Sequence, residues 1–206
     1  MGWWSAPPYA ATTRSSRQPR EWNRSSNSRE SYPNWPRLVA VSAVPDLDIR
    51  GILEALAREG VEFLIIGGVA VGFHGYVRAT KDVDIVPAPE FGNLEKLARV
   101  LRALDAQVEG AEEFKGEELP DPLDPKALAL GGNWVLRTRL GRFDIMQWIG
   151  EDALWEKLFP AAIDTEIGGL TVKVVSYDGL VALKEHAGRP EDLLDLQRLR
   201  EARGEE

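Results

Sequence analysis

Asp82 and Asp84 stand two residues apart in TKDVDIV, downstream of a Gly67-Gly68 pair that follows the apolar run FLII. Strand side chains alternate, so a strand over 82–86 puts both carboxylates on one face, with Val83 and Ile85 on the other. Two carboxylates beside a glycine turn suit a divalent cation, Mg2+ or Mn2+, and the triphosphate of an NTP. Phosphoryl or nucleotidyl transfer on two metals needs a third acid on the same face. Asp144 in RFDIMQ fits, with Phe143 and Ile145 taking the opposite face. Burying an aspartate in so apolar a strand is costly without a charged partner. Its alternative use is a salt bridge to Arg142 or Arg78.

Gly67 and Gly68 let a backbone approach a phosphate with no Cβ in the way, and the helix start that follows adds N–H donors. Thr80 and Lys81 precede the acidic strand. Thr80 either hydrogen-bonds a phosphate or braces the turn. Arg78 is the cation best placed to meet a triphosphate or to hold the carboxylates apart. His74 either positions a hydroxyl or serves the fold at a helix end. Further on, LKEHAGRPEDLLDL places Lys184 and Arg189 ahead of Asp192 and Asp195. These belong either to two solvated helix faces or to the far side of a cleft, touching phosphate or base.

Regular elements must position these groups. A helix capped by Asp46 or Asp48 runs to about Glu59, with Ile49, Ile52, Leu53 and Leu56 as its stripe and Gly60 as its stop. A strand over Phe63–Ile66, a short helix over Val69–His74 and the acidic strand Asp82–Val86 follow, with Pro87 and Pro89 ending the last. A helix over Phe91–Leu104 turns Phe91, Leu94, Leu97, Ala98, Leu101 and Leu104 to one side. Residues 110–132 read as a long acidic loop with a helical turn at most. Strands Trp134–Thr138 and Arg142–Gln147 join at Leu140-Gly141. A helix over Asp152–Leu158 precedes a hairpin, Ala162–Ile167 with Leu170–Val175, turning at Gly168-Gly169. Helices over Tyr177–Ala187 and Pro190–Ala202 follow, broken at Gly188, with Pro190 at the first helical position.

Composition narrows the classes. The 206 residues suit one full-sized domain with a tail. The absence of cysteine removes disulfides, thiolate catalysis and Cys-based zinc sites, and two histidines argue against a His-rich metal site. No apolar run is long enough for a membrane span and no leader pattern opens the chain, so a cytoplasmic protein without membrane partners is expected. Residues 1–45 lack periodicity and read as a disordered basic extension, either an arm for RNA or a partner or a dispensable segment; the folded domain is expected over 46–206. Net charge is −8, yet residues 1–37 carry six arginines against Glu21 and Glu30, leaving −12 on the remainder. An acidic body argues against broad nucleic-acid binding.

GGVAVGFHGYVRATKDVDI, FDIM and LKEHAGRPEDLLDL together resemble the motifs of the DNA-polymerase-β-like nucleotidyltransferase superfamily. The resemblance is closest to the small bacterial and archaeal group with AbiE-type abortive-infection toxins and MenT-like tRNA-modifying toxins. It covers about residues 47–202. It implies an α/β (α+β) palm, a mixed and mostly antiparallel sheet flanked by helices, with a small helical C-terminal part over 176–206. It implies metal binding by Asp82, Asp84 and Asp144, phosphate contact by Gly67 and Gly68, and substrate contact by Lys184. Many members carry Gly-Ser at the turn, whereas Val69 follows Gly68 here; other relatives use Gly-Gly. The implied activity is Mg2+-dependent transfer of NMP from an NTP to a tRNA 3′ end or a protein hydroxyl, with a toxin–antitoxin or phage-defence role and a cognate antitoxin. A small-molecule acceptor of the aminoglycoside kind, or a module that binds without turnover, are the alternatives.

Overall fold

The computed structural model describes residues 46–110 and 121–204; the extension expected over 1–45 and part of the expected long loop lie outside the described residues. Helix α1, Ile49–Glu59, is capped by Asp48, whose carboxylate accepts from the Gly51 N–H at 2.8 Å, and it stops at Gly60 in the left-handed conformation. Ile52, Leu53 and Leu56 are its buried stripe. Strand β1 is Phe63–Ile65. Helix α2, Gly67–Phe73, begins two residues earlier than the sequence suggests, so the two glycines form its first turn and do not precede it.

Strand β2, Asp82–Pro87, is followed by α3, Phe91–Ala103. The expected stripe of α3 is buried from Leu94 to Leu104, but Phe91, at its first turn, is 47% exposed. The remaining strands are β3 (Gln107–Val108), β4 (Asn133–Thr138), β5 (Gly141–Met146), β6 (Trp148–Ile149), β7 (Asp152–Ala153), β8 (Ile163–Ile167) and β9 (Leu170–Val174). Helix α4, Pro125–Ala129, is the helical turn foreseen in the loop. The helix expected from Asp152 begins at Leu154 as α5, Leu154–Leu158, because Asp152 and Ala153 pair with Ile149 and Trp148 in a two-stranded ribbon. Helices α6 (Tyr177–Ala187) and α7 (Pro190–Arg203) are where the sequence puts them, broken by Gly188 in the left-handed conformation.

Seven strands form one mixed sheet in the order β3-β4-β5-β2-β1-β9-β8. Four neighbouring pairs are antiparallel; β1–β9 and β2–β5 are parallel. The expected mixed, mostly antiparallel architecture with flanking helices is therefore the one observed. The β2–β5 register sets Val83 beside Phe143 and Asp84 beside Asp144. Val83, Ile85, Phe143 and Ile145 are wholly buried, which leaves the alternate positions of both strands to the other face. Among the described residues, no helix is long and apolar enough to cross a membrane.

Candidate active site

The parallel pairing of β2 with β5 brings together three carboxylates that are far apart in the chain. Asp82, Asp84 and Asp144 each offer an oxygen, and these three atoms lie within 4.8 Å of one another. They border a cavity of about 340 Å3 whose wall also carries Gly67, Gly68, Thr80, Arg78, Lys184 and Arg189. These nine residues, each singled out from the sequence, thus surround one space.

Crowding of like charges governs the electrostatics. Burial, then the neighbouring Asp82 and Asp144 carboxylates, push Asp84 up to about 7, against the pull of Lys184 and Arg189. Burial likewise pushes Asp144 up to about 6, although Arg142 opposes it. The Arg142 guanidinium lies 3.4 Å from Asp144 and 3.3 Å from Glu109, so Asp144 has both features the sequence suggests: it is salt-bridged and it belongs to the acidic cluster. An all-carboxylate donor set that cannot comfortably ionise alone is the kind that takes a hard divalent cation, and these residues fit Mg2+ or Mn2+.

The two glycines also make room within the site itself. A Cβ on Gly67 would overlap the Asp84 carboxylate, and one on Gly68 would overlap the Thr80 hydroxyl. The room that glycine provides is therefore filled by the site's own side chains. Thr80 donates its hydroxyl to the backbone carbonyl and Oδ1 of Asp82, each at 3.2 Å, which is the bracing role. His74 pairs its Nε2 with the Val175 carbonyl at 2.8 Å and meets Tyr177 edge-on, tying α2 to the start of α6.

Opposite the acids stands a second cluster. Lys184, 5% exposed, is 2.8 Å from Asp192 and 2.7 Å from Asp195. Arg78 reaches Asp195 with Nε at 2.6 Å and Nη2 at 2.7 Å, and Arg189 Nε lies 2.7 Å from Asp192. Asp192 and Asp195 are essentially inaccessible, at 1% and 0%. Burial by itself would raise both acids, but hydrogen bonds from Arg189 and Lys184, and from Arg78 and Lys184, hold them below the ordinary range. Lys184 is accordingly no member of a solvated face. What sequence reasoning missed is that Asp192 and Asp195 organise these cations. The legible signal was their spacing: Asp192, Asp195, Leu196 and Leu199 follow i, i+3, i+4, i+7, so the acids occupy core positions of α7. Also unforeseen is the apolar part of the wall, including Met146, Leu154, Leu180 and Leu183.

No family model and no curated protein sequence matches the chain. Solved structures do. The lincosamide antibiotic adenylyltransferase LnuA, lincomycin-bound, aligns at 15% identity over 75% of this chain and 98% of its own, with a TM-score of 0.51. The solution structure of the antibiotic-resistance factor ANT(2'')-Ia aligns at 16% identity over 75% of this chain and 81% of its own, with a TM-score of 0.50. The chain shares their fold.

Proposed function

We propose that this protein is a divalent-metal-dependent nucleotidyltransferase that moves an NMP from an NTP to an acceptor hydroxyl and releases pyrophosphate. The observation that carries this reading is the convergence of Asp82, Asp84 and Asp144 within 4.8 Å at the edge of a cation-walled cavity. Its likeness in fold to an adenylyltransferase supports it.

Asp82, Asp84 and Asp144 would hold the cation or cations. A divalent ion bound there supplies Lewis acidity at the α-phosphate and lowers the pKa of the acceptor hydroxyl. Gly67 keeps Asp84 in place by carrying no side chain, and Thr80 fixes the rotamer of Asp82. Asp144 would lie next to the acceptor and take its proton as the new O–P bond forms and the bond to the pyrophosphate oxygen breaks. The helical part carrying Lys184 and Arg189 closes the opposite side.

For the acceptor, the motif resemblance favours an RNA such as a tRNA 3′ end, or a protein hydroxyl, within a toxin–antitoxin or phage-defence pair. A second reading, a cationic small molecule, draws on two observations. Residues beyond the basic extension carry a net −12, and two structures of similar fold are an antibiotic-resistance factor and an antibiotic adenylyltransferase. One experiment separates them. The protein is incubated with Mg2+ and each α-labelled NTP in the presence of total tRNA, total protein or an aminoglycoside panel, with Asp82→Ala alongside. Label in one pool, lost in the variant, names both nucleotide and acceptor. Equal label with Asp82→Ala would sink the mechanism.

A further inference from the structure

Five cationic side chains line the cavity: Arg78, Lys81, Arg142, Lys184 and Arg189. Four are already engaged by carboxylates of the chain. Arg78 is gripped by Asp195 and Glu191, Lys184 by Asp192 and Asp195, Arg189 by Asp192, and Arg142 by Asp144 and Glu109. Lys81 differs. It is exposed, it directly precedes Asp82, and among the described residues it has no ion pair.

We propose that Lys81 is the principal direct contact of the nucleotide's polyphosphate, and that the Arg78–Lys184–Arg189 cluster is a structural clasp. This rests on the nucleotidyltransferase reading given above. A cation paired with a carboxylate at about 2.7 Å presents little net charge to a second anion, since the two fields largely cancel a few ångströms away. Pulling Lys184 out of its pairs would also leave each buried aspartate with a single arginine partner, which is unfavourable. Lys81 meets neither obstacle. Its neighbours Thr80 and Asp82 are hydrogen-bonded to each other, and Asp82 is the first residue of β2, so its stem starts next to the carboxylate cluster. A flexible ammonium on a four-carbon stem is well suited to phosphate oxygens.

The test is equilibrium calorimetry of the full-length protein with each of the four NTPs and the corresponding NMPs, in Ca2+ to suppress turnover. It is run on wild type, Lys81→Ala, Lys81→Gln and Lys81→Arg. The expected result is a loss of NTP affinity on the order of tenfold or more in Lys81→Ala and Lys81→Gln, the scale of one charge-assisted hydrogen bond. NMP affinity stays within about twofold and Lys81→Arg recovers most of the NTP affinity. Wild type that binds NTP while Lys81→Ala binds it equally well overturns the Lys81 assignment alone. Wild type that binds no NTP and labels no acceptor overturns the functional reading and the assignment together.

Discussion

Gly67 lies so close beneath Asp84 that a β-carbon at position 67 would occupy the space of the Asp84 carboxylate. Gly67 also has φ of +61°, a conformation L side chains rarely adopt. Two independent constraints therefore fix glycine there. Gly67→Ala is expected to destabilise the protein by about 1–3 kcal/mol, from left-handed strain plus displacement of Asp84. It should also weaken divalent-cation binding. Urea unfolding and Mn2+ titration check the two effects separately; unaltered Mn2+ affinity would show that Asp84 is not a ligand.

Neutralising the acidic cluster separates chemistry from fold. Asp82→Asn, Asp84→Asn and Asp144→Asn should each lower nucleotidyl transfer by about 1,000-fold, the loss of several kcal/mol of metal-supplied stabilisation. Far-UV circular dichroism should stay at the wild-type spectrum. Transfer within tenfold of wild type in any one variant would remove that residue from the site.

Stability should respond to pH in a metal-dependent way. Folding raises Asp84 to about 7 and Asp144 to about 6, both above the ordinary value of 3.8. The folded protein thus holds protons that the unfolded chain releases, and this contribution is complete below about pH 4 and lost as pH rises through 6 and 7. In EDTA, the Tm contribution of these groups should fall between pH 5 and pH 7.5, and Asp84→Asn should flatten that slope. Mn2+ should raise Tm more at pH 7.5 than at pH 5. Equal Mn2+ shifts at both pH values would contradict the assignment.

The clasp should behave as a core. Lys184→Met leaves Asp192 and Asp195 short of a partner and is expected to cost about 3–5 kcal/mol. Arg189, whose side chain is 73% exposed, should matter far less on truncation to Ala, by about 1 kcal/mol or below. Chemical denaturation of the two variants side by side gives the comparison. A cost at Lys184→Met no larger than at Arg189→Ala would show that the buried pairing is not holding α6 to α7.

Much of this arrangement is legible in the residues because local rules set it. Period-2 alternation puts Asp82 and Asp84 on one face of β2 and sets Asp144 against Phe143 and Ile145 within β5, and Asp48, Gly60, Gly188 and Pro190 punctuate helices by their own conformational preferences. Elements that exist only through distant pairing are not legible. Strand β3 has two residues and forms because Gln107 and Val108 meet Arg137 and Leu136, and Asp152 leaves its helix for a ribbon with Ile149. The cation clasp lies between these cases. Its acids are marked by their core spacing, but which cations they hold depends on Arg78 arriving from a segment 117 residues away.

That long reach gives the molecule a clock. Translation proceeds from the N-terminus, so all three cavity aspartates are present in the nascent polypeptide well before Asp192 and Asp195 are added. Without α7, Arg78 and Lys184 have no buried counter-charge and the wall facing the carboxylates is unfinished. The cavity is complete only once α7 has been added, long after its three aspartates.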